Sequence, residues 1–272
     1  MKRVILVIVA LTTLLSCSSD DNTSTNTPTL PTAVNIGTLI FLKNDYNYIG
    51  FSNFSDTNRM QFEYNSNNQI TAMLGGLEVY GNFDSFENYR FNESVVNNIT
   101  YNGNIVTVKN PFKFTMYFTS EENYIDYEIS NGQLLSRTFY GGSYQTPVTY
   151  TYEYSGNTIN EYEGTMLKRT FYLENDNLTK IDLFIYDSST NEISSKRQFT
   201  FENYNDTENL LKDKYFIDGA FLKAFSENNF SKFGYQDYTY ENGTFVMDGS
   251  HFYYEFSYDP VWNNTYSLFD IN

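Results

Sequence analysis

The chain has one cysteine, one histidine and one tryptophan. A lone cysteine, Cys17, rules out an intramolecular disulfide. A lone histidine, His251, rules out histidine-rich zinc sites and the paired-histidine motif of metalloproteases. Basic residues are few: 17 Lys and Arg stand against 33 Asp and Glu, a net charge of -16. That balance argues against nucleic acid, whose phosphates demand a basic face, and against electrostatic attachment to anionic lipid. No apolar run reaches the roughly 20 residues that a membrane-crossing helix needs. The longest, Val4 to Leu15, is shorter and contains Thr12 and Thr13. Alanine and leucine are thin beside Asn, Tyr and Thr, so little of the chain favours helix.

The first residues carry an ordered series. Met1-Lys2-Arg3 is charged, Val4 to Leu11 is apolar, and Leu14-Leu15-Ser16 leads into Cys17. In that order the segment resembles the signal peptide and lipobox of bacterial lipoproteins. The resemblance implies removal of residues 1–16, then acylation of Cys17 on its sulfur and its new amino group. The lipid bilayer is then a partner of the chain. Each buried methylene contributes about 0.8 kcal/mol, and two or more acyl chains hold stably. The plain alternative for a lone cysteine is an inert core thiol, but Ser18-Ser19-Asp20-Asp21 follows at once and burial there is implausible. Removing Lys2 and Arg3 leaves 15 basic against 33 acidic residues, a net charge near -18. Such acidity keeps an exported domain soluble.

Residues 17–33 are Ser, Thr, Asn, Asp and Pro with little apolar content, a composition that cannot offset its ordering entropy. They read as the acylated cysteine and a flexible polar tether. Ser18-Ser19-Asp20-Asp21 resembles the acidic stretch after the acylated cysteine of surface-exposed Bacteroidota lipoproteins. The expected location is therefore the outer membrane, lipid-anchored and facing the cell surface.

Residues 34–272 read as a single antiparallel β domain, with 26 Tyr and 24 Phe in the chain. Aromatic side chains favour pleated, half-buried surfaces. One unit recurs: an alternating aromatic strand, a polar Asn/Gly/Asp turn, and a second alternating strand. Clear copies are Ile99 to Val106, Tyr127 to Leu134, Tyr150 to Ile159, Phe171 to Leu178 and Tyr238 to Phe245. Alternation turns one side of each strand to a core, and short turns make neighbours antiparallel. The expected fold is all-β: one large antiparallel meander sheet, curved or partly closed. Near residues 206–229 the alternation stops. Leu210 and Leu211 follow a candidate N-cap at Asp206, and Phe221, Leu222 and Phe225 make a short helical face. A short helical or irregular insertion covering the sheet is expected there.

The hairpin copies resemble degenerate tyrosine-aspartate repeats of Rhs-type shells. The run Phe201-Glu202-Asn203-Tyr204-Asn205-Asp206-Thr207-Glu208-Asn209, then Leu222 and Ser226-Glu227-Asn228-Asn229-Phe230, resembles a stretch in uncharacterised Bacteroidota lipoproteins. The resemblance implies an outer-membrane-anchored β protein and brings no catalytic residue with it.

For chemistry, His251 in Asp248-Gly249-Ser250-His251-Phe252 reads as an ordinary strand or turn histidine, since a relay needs a paired nucleophile. A two-carboxylate hydrolase cannot be dismissed by count: Glu153, Glu161, Glu163 and Asp182 are candidates, although acids on alternating strands are usually solvated. Glu174 to Asn177 and Asn205 to Glu208 place oxygens in turns without the Gly and terminal Glu of a calcium loop. No metal and no cofactor is expected. For binding, exposed aromatics beside amides suit sugars, and the candidates are Trp262 among Asp259, Asn263 and Asn264, and Tyr140 and Tyr144 around Gly141-Gly142. The expected role is non-catalytic binding or scaffolding at the envelope, towards a glycan or an envelope protein. The alternative is a glycan-active hydrolase.

Overall fold

The computed structural model describes residues 30–35, 39, 42–43, 47–48, 58–79, 89–109, 124–141, 146–217, 219–255, 257–258, 265–266 and 268–269. In chain order the early strands are β1 (Ala33–Asn35), β2 (Leu42–Lys43), β3 (Asn47–Tyr48), β4 (Arg59–Tyr64), β5 (Ile70–Val79) and β6 (Tyr89–Asn102). The middle strands are β7 (Ile105–Lys109), β8 (Tyr124–Ser130), β9 (Gln133–Tyr140), β10 (Val148–Ser155), β11 (Thr158–Glu163) and β12 (Met166–Glu174). Then come β13 (Asn177–Tyr186), β14 (Ile193–Glu208), β15 (Asn228–Glu241) and β16 (Thr244–Glu255). Three short strands end the series: β17 (Ser257–Tyr258), β18 (Thr265–Tyr266) and β19 (Leu268–Phe269).

Fifteen strands form one sheet in the order β16 down to β4, then β1 and β18. From β4 to β16 every neighbour in space is the neighbour in sequence, and every pairing is antiparallel. The expected meander is therefore the observed fold. The two-residue turns explain it locally. Asn131 and Gly132 both take positive φ (52° and 76°), the type I′ geometry that matches strand twist. Asn175 and Asp176 manage the same turn without glycine (50° and 59°).

The sheet bends. Laid flat, fifteen strands would spread over about 65 Å. Yet β16 ends at Glu255, and β18 at the opposite margin begins at Thr265. A chain of that length reaches at most about 35 Å. Among the described residues, β16 and β18 are not paired with each other.

The two faces differ in chemistry. On the inner face, register aligns Tyr154, Ile159, Phe171 and Ile181 in one row and Tyr152, Glu161, Arg169 and Leu183 in the next. On the outer face Thr107, Asp126, Thr138 and Thr149 make a polar row. Thr107 donates to Asp126 at 2.6 Å, and the hydroxyls of Thr138 and Thr149 lie 3.0 Å apart. A strand that crosses a bilayer turns its apolar side to lipid. Here apolar-side residues of β6, β9, β10 and β12 turn to a covering segment of the chain itself.

That cover is residues 209–227, between β14 and β15. Asn209 closes its base: Nδ2 donates to Lys223 O at 2.7 Å and Ser226 O at 2.8 Å. Asn177 holds its exit through Nδ2 to Asn228 Oδ1 (3.2 Å) and by accepting Asn228 N–H (2.8 Å). Phe221 and Phe225 then lie on Phe171, with ring centroids at 6.4 and 4.7 Å. Phe216 reaches Tyr101 at 6.1 Å, and the Tyr215 hydroxyl donates to Gly132 O at 2.9 Å. All of these belong to one hydrophobic core with the inner face. The insertion expected near residues 206–229 is therefore present, and the 3-10 turn Lys223–Phe225 is its one helical element among the described residues. Asp206 corrects the expectation: it lies inside β14 and caps nothing helical. Pairing with β15 carries β14 on to Glu208, so the local cap signal loses to the ladder.

Candidate functional site

The densest polar cluster sits under the insertion. Glu161 on β11 is fully buried, and both of its oxygens are engaged. Oε1 accepts Arg169 Nη1 at 2.7 Å. Oε2 accepts Arg137 Nη2 at 3.1 Å and the Tyr152 hydroxyl at 2.5 Å. Strand register dictates the meeting. Tyr152 pairs with Glu161 and Glu161 with Arg169, so alternation puts all three on the inner face. Arg137 is two strands away, on the same face. Burial pushes the Tyr152 phenol well above its ordinary pKa, with Arg137 opposing and Glu161 adding to the rise. The Arg137 guanidinium is packed by rings: Phe139 at 5.1 Å, Tyr150 at 4.9 Å and Phe221 at 4.5 Å.

This geometry fixes what Glu161 can do. A general acid or nucleophile needs a free oxygen facing substrate. Glu161 has three donors on two oxygens and a lid of phenylalanine. It acts as an internal counter-ion.

The other candidate acids are not gathered with it. Asp182 is also buried, but it follows Ile181 and therefore points to the outer face. There it accepts Gln198 Nε2 at 2.7 Å, Lys196 Nζ at 3.1 Å and the Tyr172 hydroxyl at 3.3 Å. Glu153 is exposed on β10. Glu163 is half-buried and lies 3.4 Å from Lys168 Nζ. Among the described residues no group of three His, Cys, Asp or Glu is placed to hold a metal. The Glu174 to Asn177 turn serves the insertion instead, since Asp176 O accepts Glu227 N–H at 3.0 Å.

Of the aromatic candidates, Tyr140 is half-buried and stacks on Tyr124 at 4.2 Å and 13°. Burial, with Asp126 adding, raises its phenol pKa. Trp262, Tyr144 and Cys17 lie outside the described residues. His251 is on β16, where its Nδ1 is 2.9 Å from the Tyr253 hydroxyl and the ring centroids are 4.1 Å apart.

The sequence reading missed a second aromatic surface, on the outer face of β14–β16. Tyr253 is 50 % exposed, Tyr240 42 % and Met247 63 %. Lys232 Nζ sits 4.3 Å from the Tyr253 ring centre and 2.9 Å from Glu202. Lys196 Nζ is 4.8 Å from the Phe245 ring, which is 5.0 Å from Tyr240. The available signal was the period-2 placement of Tyr238, Tyr240, Phe245 and Met247 around Asn242-Gly243.

No family model matches the chain, and no curated protein matches it. Among solved structures, it is similar to a porin-like protein from Bacteroides vulgatus, at 12% identity and a TM-score of 0.42, covering 79% of this chain and 93% of that one. A porin-like protein from Bacteroides uniformis is similar at 12% identity and a TM-score of 0.35, covering 72% of this chain and 90% of that one.

Proposed function

We propose that this is a lipid-anchored envelope protein, acylated at Cys17 and displayed at the outer-membrane surface, whose β domain binds or scaffolds without catalysis. The observation that carries the anchor is the register of Met1-Lys2-Arg3, the apolar run and Leu14-Leu15-Ser16-Cys17. The polar outer row of Thr107, Asp126, Thr138 and Thr149 supports a domain standing in water beside the membrane rather than crossing it. Acyl chains in the bilayer are its first partner. A glycan or an envelope protein is the second, with Trp262, Tyr140 and Tyr144 as candidate contacts.

The two-carboxylate hydrolase is the competing reading. It needs two acids flanking one bond on one surface. Glu161 and Asp182 occupy opposite faces of the sheet, each saturated by donors, which favours the binding role. Metabolic labelling with a fatty-acid probe tests the anchor. The wild-type chain should label and sediment with membranes, and Cys17→Ser should do neither. A Cys17→Ser chain that still labels and sediments overturns the anchor.

A further inference from the structure

The dipeptide Asn-Gly occurs three times in the chain, at Asn102-Gly103, Asn131-Gly132 and Asn242-Gly243. This pair is open to self-modification. The glycine amide nitrogen can attack the asparagine side-chain carbonyl, and no Cβ stands in the way. Two of the copies make a controlled comparison. Asn131 and Gly132 take φ of 52° and 76°, and Asn242 and Gly243 take 50° and 84°. Both asparagines are exposed. Turn geometry and residue chemistry are therefore matched, and the difference lies in what holds each turn.

The insertion pins the Asn131-Gly132 turn. The Tyr215 hydroxyl donates to Gly132 O at 2.9 Å. A Cβ on Gly132 would lie 2.9 Å from Asp213 Oδ2. Asp213 is itself tied back, its N–H donating to Ala224 O at 3.0 Å. Turning the Gly132 peptide toward Asn131 Cγ must break the first contact and press on the second. The Asp213 carboxylate also disfavours the amide anion that would attack. Asn242-Gly243 is held differently. Beyond its chain neighbours, nothing lies within 4 Å of a Cβ built on Gly243. Strand β14 pairs with β15 only as far as Thr239, so residues 240–245 form a two-stranded tip. Among the described residues β16 has a sheet neighbour on one side only. A two-stranded ribbon is marginal by itself, so this tip opens readily.

We propose that Asn242 is a site of spontaneous deamidation in the folded protein, and that the insertion protects Asn131 from the same reaction. The Gly243 nitrogen gives up its proton to water and bonds to Asn242 Cγ. The bond from Cγ to Nδ2 breaks, and the nitrogen takes up a proton and leaves as ammonia. Water then opens the succinimide at either carbonyl, giving aspartate or isoaspartate at position 242. No oxidant, reductant or enzyme takes part. Either product adds a carboxylate beside Glu241 on a chain that already carries a net charge of -16. Isoaspartate also lengthens the main chain within the turn, which spoils the type I′ geometry that joins β15 to β16. Loosening should therefore begin at Tyr240 and Phe245, which pair across this tip.

The test incubates the full-length protein in detergent in mildly alkaline buffer and follows both asparagines by peptide mapping with mass spectrometry. Methylation by an isoaspartyl methyltransferase reports the isoaspartate product. In the folded chain Asn242 should convert about tenfold faster than Asn131, because the pinned turn must first open. In concentrated urea the two rates should converge. Tyr215→Phe keeps the core ring but removes the hydroxyl on Gly132, and should speed Asn131 severalfold while leaving Asn242 unchanged. Should that variant fail to fold, the wild-type comparison decides alone. Asn131 converting as fast as Asn242 in the folded chain, or Asn242 remaining unmodified while it converts in urea, overturns the proposal. A folded Tyr215→Phe chain in which Asn131 stays as slow as before overturns the protection by the insertion.

Discussion

Phe221 of the insertion lies over the guanidinium of Arg137, its ring centre 4.5 Å from the arginine carbon. One contact thereby joins the cover to the buried ion cluster. Phe221→Ala removes a core ring and should cost about 3–5 kcal/mol. Glu161→Gln leaves Arg137 and Arg169 buried without their counter-ion and should cost a similar 3–5 kcal/mol. Because both changes act on Arg137, the double variant should lose less than the two together. Urea melts of the four proteins measure this. Strict additivity would show that the lid and the cluster are independent.

Alkaline stability should rise and then fall. Burial holds the Lys223 ammonium far below its ordinary 10.5, at about 7. Between those values the unfolded chain carries a proton that the folded chain has released. Linkage then makes stability increase with pH across that window. Burial pushes the phenols of Tyr64, Tyr101 and Tyr154 up to about 12 from 10.0. From pH 10 to 12 the unfolded chain loses protons that the folded chain keeps, so stability falls. Lys223→Met keeps the packing beside Phe230 and should raise stability at pH 7 while flattening the rise to pH 9. An unchanged slope in that variant would sink the assignment.

The meander was legible because every strand carries its own period of two and every two-residue turn its own chemistry. The insertion was legible as a break in that period, but not its boundaries. Asp206 has the local features of a cap, and only the long-range ladder from β14 to β15 overrules it. The Arg137–Glu161–Arg169 cluster was hidden for a related reason. Each residue sits at an inward position of its own strand, yet the meeting needs the register of four strands at once. Asp182 looked equivalent to Glu161 in sequence. One residue of phase separates the two faces, and that phase is set by Ile181 pairing with Phe171.

Far-UV circular dichroism of the full chain should be β-dominated. The described helical content is the single turn Lys223–Phe225. A helix fraction near the globular average of about a third would contradict the fold.

Two lysine–carboxylate pairs on the outer face offer a controlled comparison. Lys196 lies 3.1 Å from Asp182, and Lys232 lies 2.9 Å from Glu202. The distances are alike, but the surroundings are not. The Asp182 side chain is 7% exposed, whereas that of Glu202 is 44% exposed. An exposed pair gains little in water, so Lys232→Met should cost under about 1 kcal/mol. Asp182 cannot recover water when its partner goes. Lys196→Met keeps the aliphatic stem over Tyr238 and Phe245 but leaves a buried carboxylate with only Gln198 and Tyr172. That loss should reach about 3–5 kcal/mol. Chemical melts of both variants at pH 7 separate the cases. Equal penalties at pH 7 would mean that Asp182 is open to solvent, and its burial on the outer face would have to be abandoned.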